Sequence, residues 1–123
     1  MKFEREQAEG RNAFTGYGEG YVEVNRNRHA QSLVVSGERL ITDWPVASLE
    51  GLQADHMAAI VELKPEIVLL GTGARFQFPP PALLAPLYKA GIGVEVMDTP
   101  AACRTYNILL GEGRNVVAAL IVE

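Results

Sequence analysis

The sequence predicts a layered α/β domain with parallel middle strands, flanking helices and an added N-terminal antiparallel meander. Three observations predict it. Short alternating segments separated by glycines and polar turns fill the first part of the chain. The periodicity changes to a helical one near Leu52. From there helices and strands alternate, the pattern of an α/β layer architecture with right-handed crossovers. At 123 residues the chain is one domain by length. Residues 1–13 are expected to be a loosely held polar segment and residues 14–123 the single α/β domain.

The elements follow in order. Residues 21–24, Tyr-Val-Glu-Val, alternate as a half-buried strand does. Asn25-Arg26-Asn27 reads as a turn, residues 31–35 as a return strand, Ser36-Gly37-Glu38 as a second turn and residues 39–44 as a third strand. This meander adds either edge strands or a small second sheet. Residues 52–63 form a helix with Met57, Ile60 and Val61 on one face, and Pro65 follows its end. Residues 66–70 are a short apolar run, suited to a strand buried on both faces. A helix over residues 81–90 opens on proline and stops at Gly91. Residues 94–97 are the next strand. Thr99 can cap a helix that has Pro100 in its first position and ends at Gly111 or Gly113. Residues 116–122 are the last strand, for which an antiparallel direction is also open.

Composition narrows the function. Hydrophobic residues make up 48% and charged residues 21%, ordinary globular usage. The net charge is -4 and the only local basic cluster is Arg26, Arg28 and His29, so nucleic acid is not an expected partner. A single cysteine forms no internal disulfide and fits a reducing compartment. The opening MKFEREQAEGRNAF has no apolar core, and no apolar run reaches the roughly 18 residues of a membrane span. The expected setting is the cytoplasm.

Motifs that carry chemistry are sparse. Gly71-Thr72-Gly73 follows a strand, but the dinucleotide fingerprint needs a third glycine where Phe76 stands. Cys103 lies in the second helical turn, where the helix dipole acts weakly, and neither His29 nor His56 is close in sequence to serve as its base. On a helical wheel Ala102, Tyr106 and Leu109 form one face, widened by Ala101, Thr105, Ile108 and Leu110. Arg104, Asn107 and Gly111 form the opposite stripe, with Cys103 at the boundary. The plainer reading is a buried helix with a packed cysteine. The sharper one has Arg104, Asn107 and the Asp98-Thr99 corner facing Gly71, Thr72 and Gly73 across a crevice that holds a small anion. No set of histidines, cysteines and carboxylates has metal-ligand spacing, and no cofactor is expected. Arg75-Phe76-Gln77-Phe78, before Pro79, Pro80 and Pro81, exposes two aromatics in an interaction patch or tucks them over the sheet.

The segments IVLLGTG (67–73) and FPPPALLAPLYKAGIGVEVMDTPAACRTYNILLGEGRNVVAALI (78–121), with SLVVSG and LITDWPV before them, carry a resemblance. The chain resembles the domain-of-unknown-function family that includes mitochondrial complex I assembly factor 3 and the adipogenesis-associated protein. The resemblance implies a mixed central sheet with an extra antiparallel layer. It also implies action through protein partners, without an established catalytic reaction. It marks Gly71, Thr72, Gly73, Asp98, Thr99, Cys103, Arg104, Thr105 and Asn107 as a shared pocket-like corner. No mitochondrial presequence is evident, and in its brevity the chain looks bacterial. The leading expectation is a non-enzymatic interaction or assembly factor with a protein partner. The alternative is a binder of a small anionic metabolite at that corner, with or without catalysis.

Overall fold

The turn at Asn25-Arg26 organises the N-terminal sheet. In the computed structural model, which describes residues 11–123, these two residues take φ of 51° and 71°. That is the backbone of a two-residue hairpin whose twist matches its flanking strands. It joins β2 (Tyr21–Val24) to β3 (Asn27–His29). β1 (Phe14–Gly18) pairs antiparallel with β2 from the other side, with a bulge between Phe14 and Gly16. These strands form a small sheet in the order β1-β2-β3. Residues 1–10, most of the segment expected to be loosely held, lie outside the described residues. At its end Asn12 donates from Nδ2 to the carbonyls of Ser36 and Arg39 at 3.0 and 3.1 Å.

The expected meander is thus divided. The strand that returns on β2 is β3, which begins at Asn27 within the expected turn, and the expected return and third strands, residues 31–35 and 39–44, belong elsewhere. β4 (Leu33–Ser36) and the short β5 (Leu40–Ile41) join the main sheet, whose order is β5-β4-β8-β6-β7. The reason lies in the pairing: Leu33 faces Leu120 and Val35 faces Ala118. β6 (Ile67–Gly71) runs parallel to both β7 (Gly93–Met97) and β8 (Val116–Leu120). The last strand is therefore parallel and central, and β4, antiparallel to β8, makes the sheet mixed.

The helices adjust to local chemistry. A one-turn 3-10 helix, Leu49–Gly51, precedes α1 (Ala54–Val61). Gln53 and His56 cap α1 reciprocally, with the Gln53 amide donating to His56 Nδ1 at 2.9 Å. The expected helix over 81–90 divides into a 3-10 turn, Pro81–Leu84, and α2 (Ala85–Lys89). Pro86 has no amide to continue a ladder through this point. α3 (Thr99–Gly111) is the longest. Its cap is Asp98 rather than Thr99: Asp98 Oδ1 accepts from the Ala101 amide at 2.8 Å.

Connections fix the layers. The chain moves outward from β6 to β7, then back past β6 to β8. Right-handed crossovers in opposite directions place their helices on opposite faces. One core accordingly holds Met57, Ile60, Leu84 and Leu87 against Val68, Leu70, Val117 and Ala119. The other holds Ala102, Cys103, Tyr106 and Leu110 against Leu69, Ala118 and Leu120, with Phe14, Val22 and Val24 of the small sheet. α3 is covered on two sides, by the main sheet and by β1. This second cover turns its buried face. Cys103 is buried, and Ile108, expected on the buried side, is 61% exposed.

Candidate functional site

The crossovers leave β6 and β7 toward opposite faces, so a topological switch point lies between their carboxyl ends, where open α/β sheets bind ligands. Gly71-Thr72-Gly73 and Asp98-Thr99 meet there, as the sequence predicts. The chain itself fills much of the crevice. Thr99, 6% exposed, donates its hydroxyl to the Ile121 carbonyl at 2.7 Å and accepts the Gly73 amide at 2.9 Å. The Thr72 amide donates to the Met97 carbonyl at 2.9 Å. A Cβ on Gly71 would stand 2.8 Å from Thr99 Oγ1 and 3.0 Å from its Cα, so only glycine permits this approach. The amides expected to be open for an anion are taken.

The other predicted residues divide between core and latch. Cys103 is 1% exposed, and burial pushes its thiol from the ordinary 9.0 up to about 12, with Arg104 opposing weakly. Asn107 Oδ1 accepts the Phe14 amide at 2.9 Å, and its Nδ2 donates to the Phe14 carbonyl at 2.7 Å. The next residue back, Tyr106, is fully buried and donates its hydroxyl to the Asn12 carbonyl at 2.7 Å. Burial drives that phenol well above its usual range. Arg104 is exposed and donates from Nη1 to the Tyr17 hydroxyl at 2.7 Å, its guanidinium 5.7 Å from the ring centre. Asp98 caps α3, and Thr105 is half-buried. Gly73 and Thr99 remain at a cavity; Cys103 and Asn107 do not line it.

That cavity, about 300 Å³, lies between the β1–β2 hairpin, the loop after β6 and the start of α3. Tyr17, Glu19, Tyr21 and Glu123 line it beside Gly73 and Thr99. Sequence reasoning passed over the hairpin residues. The available signal was Gly16-Tyr17-Gly18-Glu19-Gly20-Tyr21, where glycines leave one side open to the larger side chains. The Tyr21 ring lies over Gly18, where a Cβ would come within 2.5 Å of it. The charged side chains of the lining are carboxylates, and Arg104 reaches the rim through Tyr17.

One consequence is measurable. Cys103 is expected to resist a thiol reagent in the folded protein and to react fully once the chain is unfolded. Its raised pKa also links to stability. Below about pH 9 the thiol is protonated in both states, and its contribution is fully present. As pH rises toward about 12, the unfolded thiol ionises while the folded one keeps its proton, so stability falls. Urea unfolding across this range should show a steeper loss in the wild type than in Cys103→Ala.

Among the described residues no helix is long and apolar enough to cross a membrane. Residues 14–121 match the family model described as "Protein of unknown function (DUF498/DUF598)". The chain is 29% identical over 122 residues to a 13 kDa major membrane protein of Francisella tularensis subsp. holarctica, covering 98% of this chain and 99% of that protein. It is 36% identical over 104 residues to NADH dehydrogenase (ubiquinone) 1 alpha subcomplex assembly factor 3 of Bos taurus, covering 75% of this chain and 56% of the relative. The chain spans about half the length of such assembly-factor relatives. A crystal structure of a Bordetella parapertussis protein superposes with a TM-score of 0.87 at 42% identity, over 93% of this chain and 98% of that one.

Proposed function

The chain belongs to the family described as Protein of unknown function (DUF498/DUF598), and on that premise we propose that it is a non-enzymatic, protein-binding assembly factor. One observation carries this reading. Phe76 and Phe78 stand 46% and 84% exposed on the loop after β6, edge to face with ring centres 4.5 Å apart. The loop is braced. Thr72, fully buried, donates its hydroxyl to the Arg75 carbonyl at 2.7 Å and accepts the Gln77 amide at 3.1 Å. Beyond Phe78 the chain enters Pro79-Pro80-Pro81, with Pro80 at φ -56° and ψ 133°, close to polyproline II. A stiff loop has little freedom left to lose on binding. Exposed aromatic rings are the side chains that interfaces most often use as anchors.

The partner class we propose follows the assembly-factor relatives: subunits of a respiratory NADH dehydrogenase. The cellular setting is the bacterial cytoplasm, supported by the single, buried cysteine. Phe76→Ser with Phe78→Ser tests the reading. The double variant should unfold within a few degrees of the wild type and capture those subunits about tenfold less well. Undiminished capture would overturn the role of the loop.

A second reading, a small ligand at the corner, rests on the cavity at the switch point. The notion of an anion there depends on Arg104, whose nearest link to the cavity is the Tyr17 hydroxyl. A folded Arg104→Ala variant that binds small anions as well as the wild type would count against the anion.

A further inference from the structure

The main sheet ends on β7, and among the described residues nothing pairs with its outer side. The Gly93 amide donates to the Glu66 carbonyl at 3.2 Å, and the Met97 carbonyl accepts the Thr72 amide at 2.9 Å. Gly93, Glu95 and Met97 therefore turn their backbone groups toward β6. The period of two carries the amides and carbonyls of Val94 and Val96 to the open edge. Val94, Val96 and Met97 are half-buried, whereas every residue of the central strand β8 is buried. A further strand would complete both the hydrogen bonding and the burial.

An open edge invites pairing and has to be guarded. Glu95 stands in the middle of β7 and is exposed. Suppose a second copy paired with β7 about a two-fold axis. The register that pairs the whole strand sets Glu95 against Glu95. That would be a non-hydrogen-bonded pair, with Cα atoms about 4.5 Å apart and side chains close. Like charges directly opposite each other destabilise a sheet, and opposite charges stabilise it. A slip by two residues relieves the clash but gives up part of the pairing. The edge thus rejects its own copy and favours a strand of opposite charge.

We propose that the outer edge of β7 is a second docking surface, which takes an extended segment of a partner protein with a lysine or arginine opposite Glu95. Main-chain bonds to Val94 and Val96 supply affinity, and Glu95 selects the segment. This surface is separate from the aromatic loop and stands or falls without it.

The chain can serve as its own probe, because Glu95→Lys creates a strand of the required charge. Wild type alone and E95K alone should sediment as monomers. An equimolar mixture should form a heterodimer, with association about fivefold or more tighter than either self-association. Salt should weaken it. Val96→Pro removes an outward amide without touching the β6 ladder, a position where proline is tolerated. V96P in either chain should abolish the heterodimer while leaving the thermal unfolding cooperative. Independently of that variant, the Val94 and Val96 amides should gain protection from exchange in the mixture. A mixture that stays monomeric would overturn the proposal. So would a heterodimer that leaves those two amides unprotected. Wild-type self-association that protects the same two amides would make a second copy the occupant and overturn it as well.

Discussion

Thr99→Val should lower stability by about 2–4 kcal/mol, although valine nearly matches threonine in volume. The loss comes from what the hydroxyl joins. It accepts the Gly73 amide and donates to the Ile121 carbonyl, and both bonds are buried. Valine leaves one donor and one acceptor without partners, and each stranded group costs about 1–3 kcal/mol. Thr99→Ser is the control. It keeps the hydroxyl and loses a methyl, for about 1 kcal/mol. Urea unfolding of the two variants separates the bridge from the packing. Equal losses would show that the hydroxyl bridge contributes little.

Asn107→Leu should cost about 2 kcal/mol, and the damage should be local. The Asn107 side-chain amide bonds to both the amide and the carbonyl of Phe14, as a neighbouring strand would. Leucine keeps the bulk and loses both bonds. β1 is also held by the Tyr106 hydroxyl on Asn12 and by the edge-to-face contact of Phe14 with Tyr106 at 5.1 Å, so the small sheet should stay docked but open more often. Hydrogen exchange should accelerate at Phe14 and across β2 and β3 before the main sheet changes. A uniform acceleration over all strands would mean that Asn107 supports the whole fold rather than this attachment.

These roles explain which parts of the molecule were legible in its sequence. The run at Ile67–Gly71 announces a central strand because burial on both faces leaves no polar position. α3 announces itself through Pro100, but not through its cap. Asp98 and Thr99 are both capping residues, and the choice between them rests on the Ile121 carbonyl, 22 positions away from Thr99. Asn107 looks like a solvent-facing polar residue because its partner, Phe14, is 93 positions distant. β1, Phe-Thr-Gly-Tyr-Gly, has too little apolar alternation to stand out. β4 was legible as a strand but not as a member of the main sheet, since alternation does not say whether the partner is the next hairpin arm or Leu120. Of the expected corner, Gly73 and Thr99 meet at the strand ends, while Cys103 turns to the core and Asn107 to Phe14. The cavity beside it is built largely by a hairpin whose approach depends on those long-range latches.

The position of β8 bears on how the protein is made. It sits between β4 and β6 in the main sheet, yet it is the last of the eight strands among the described residues. While the ribosome is still translating residues before Val116, β4 and β6 each lack the neighbour that will lie between them. The emerging chain can close the local Asn25-Arg26 hairpin and pair β6 with β7. It cannot join β4 to the β6–β7 pair, because the strand that lies between them is not yet synthesised. The main sheet therefore closes only after β8 has been made, with the slow, long-separation contacts formed last. Nascent chains arrested before Val116 should be prominent clients of chaperones and proteases.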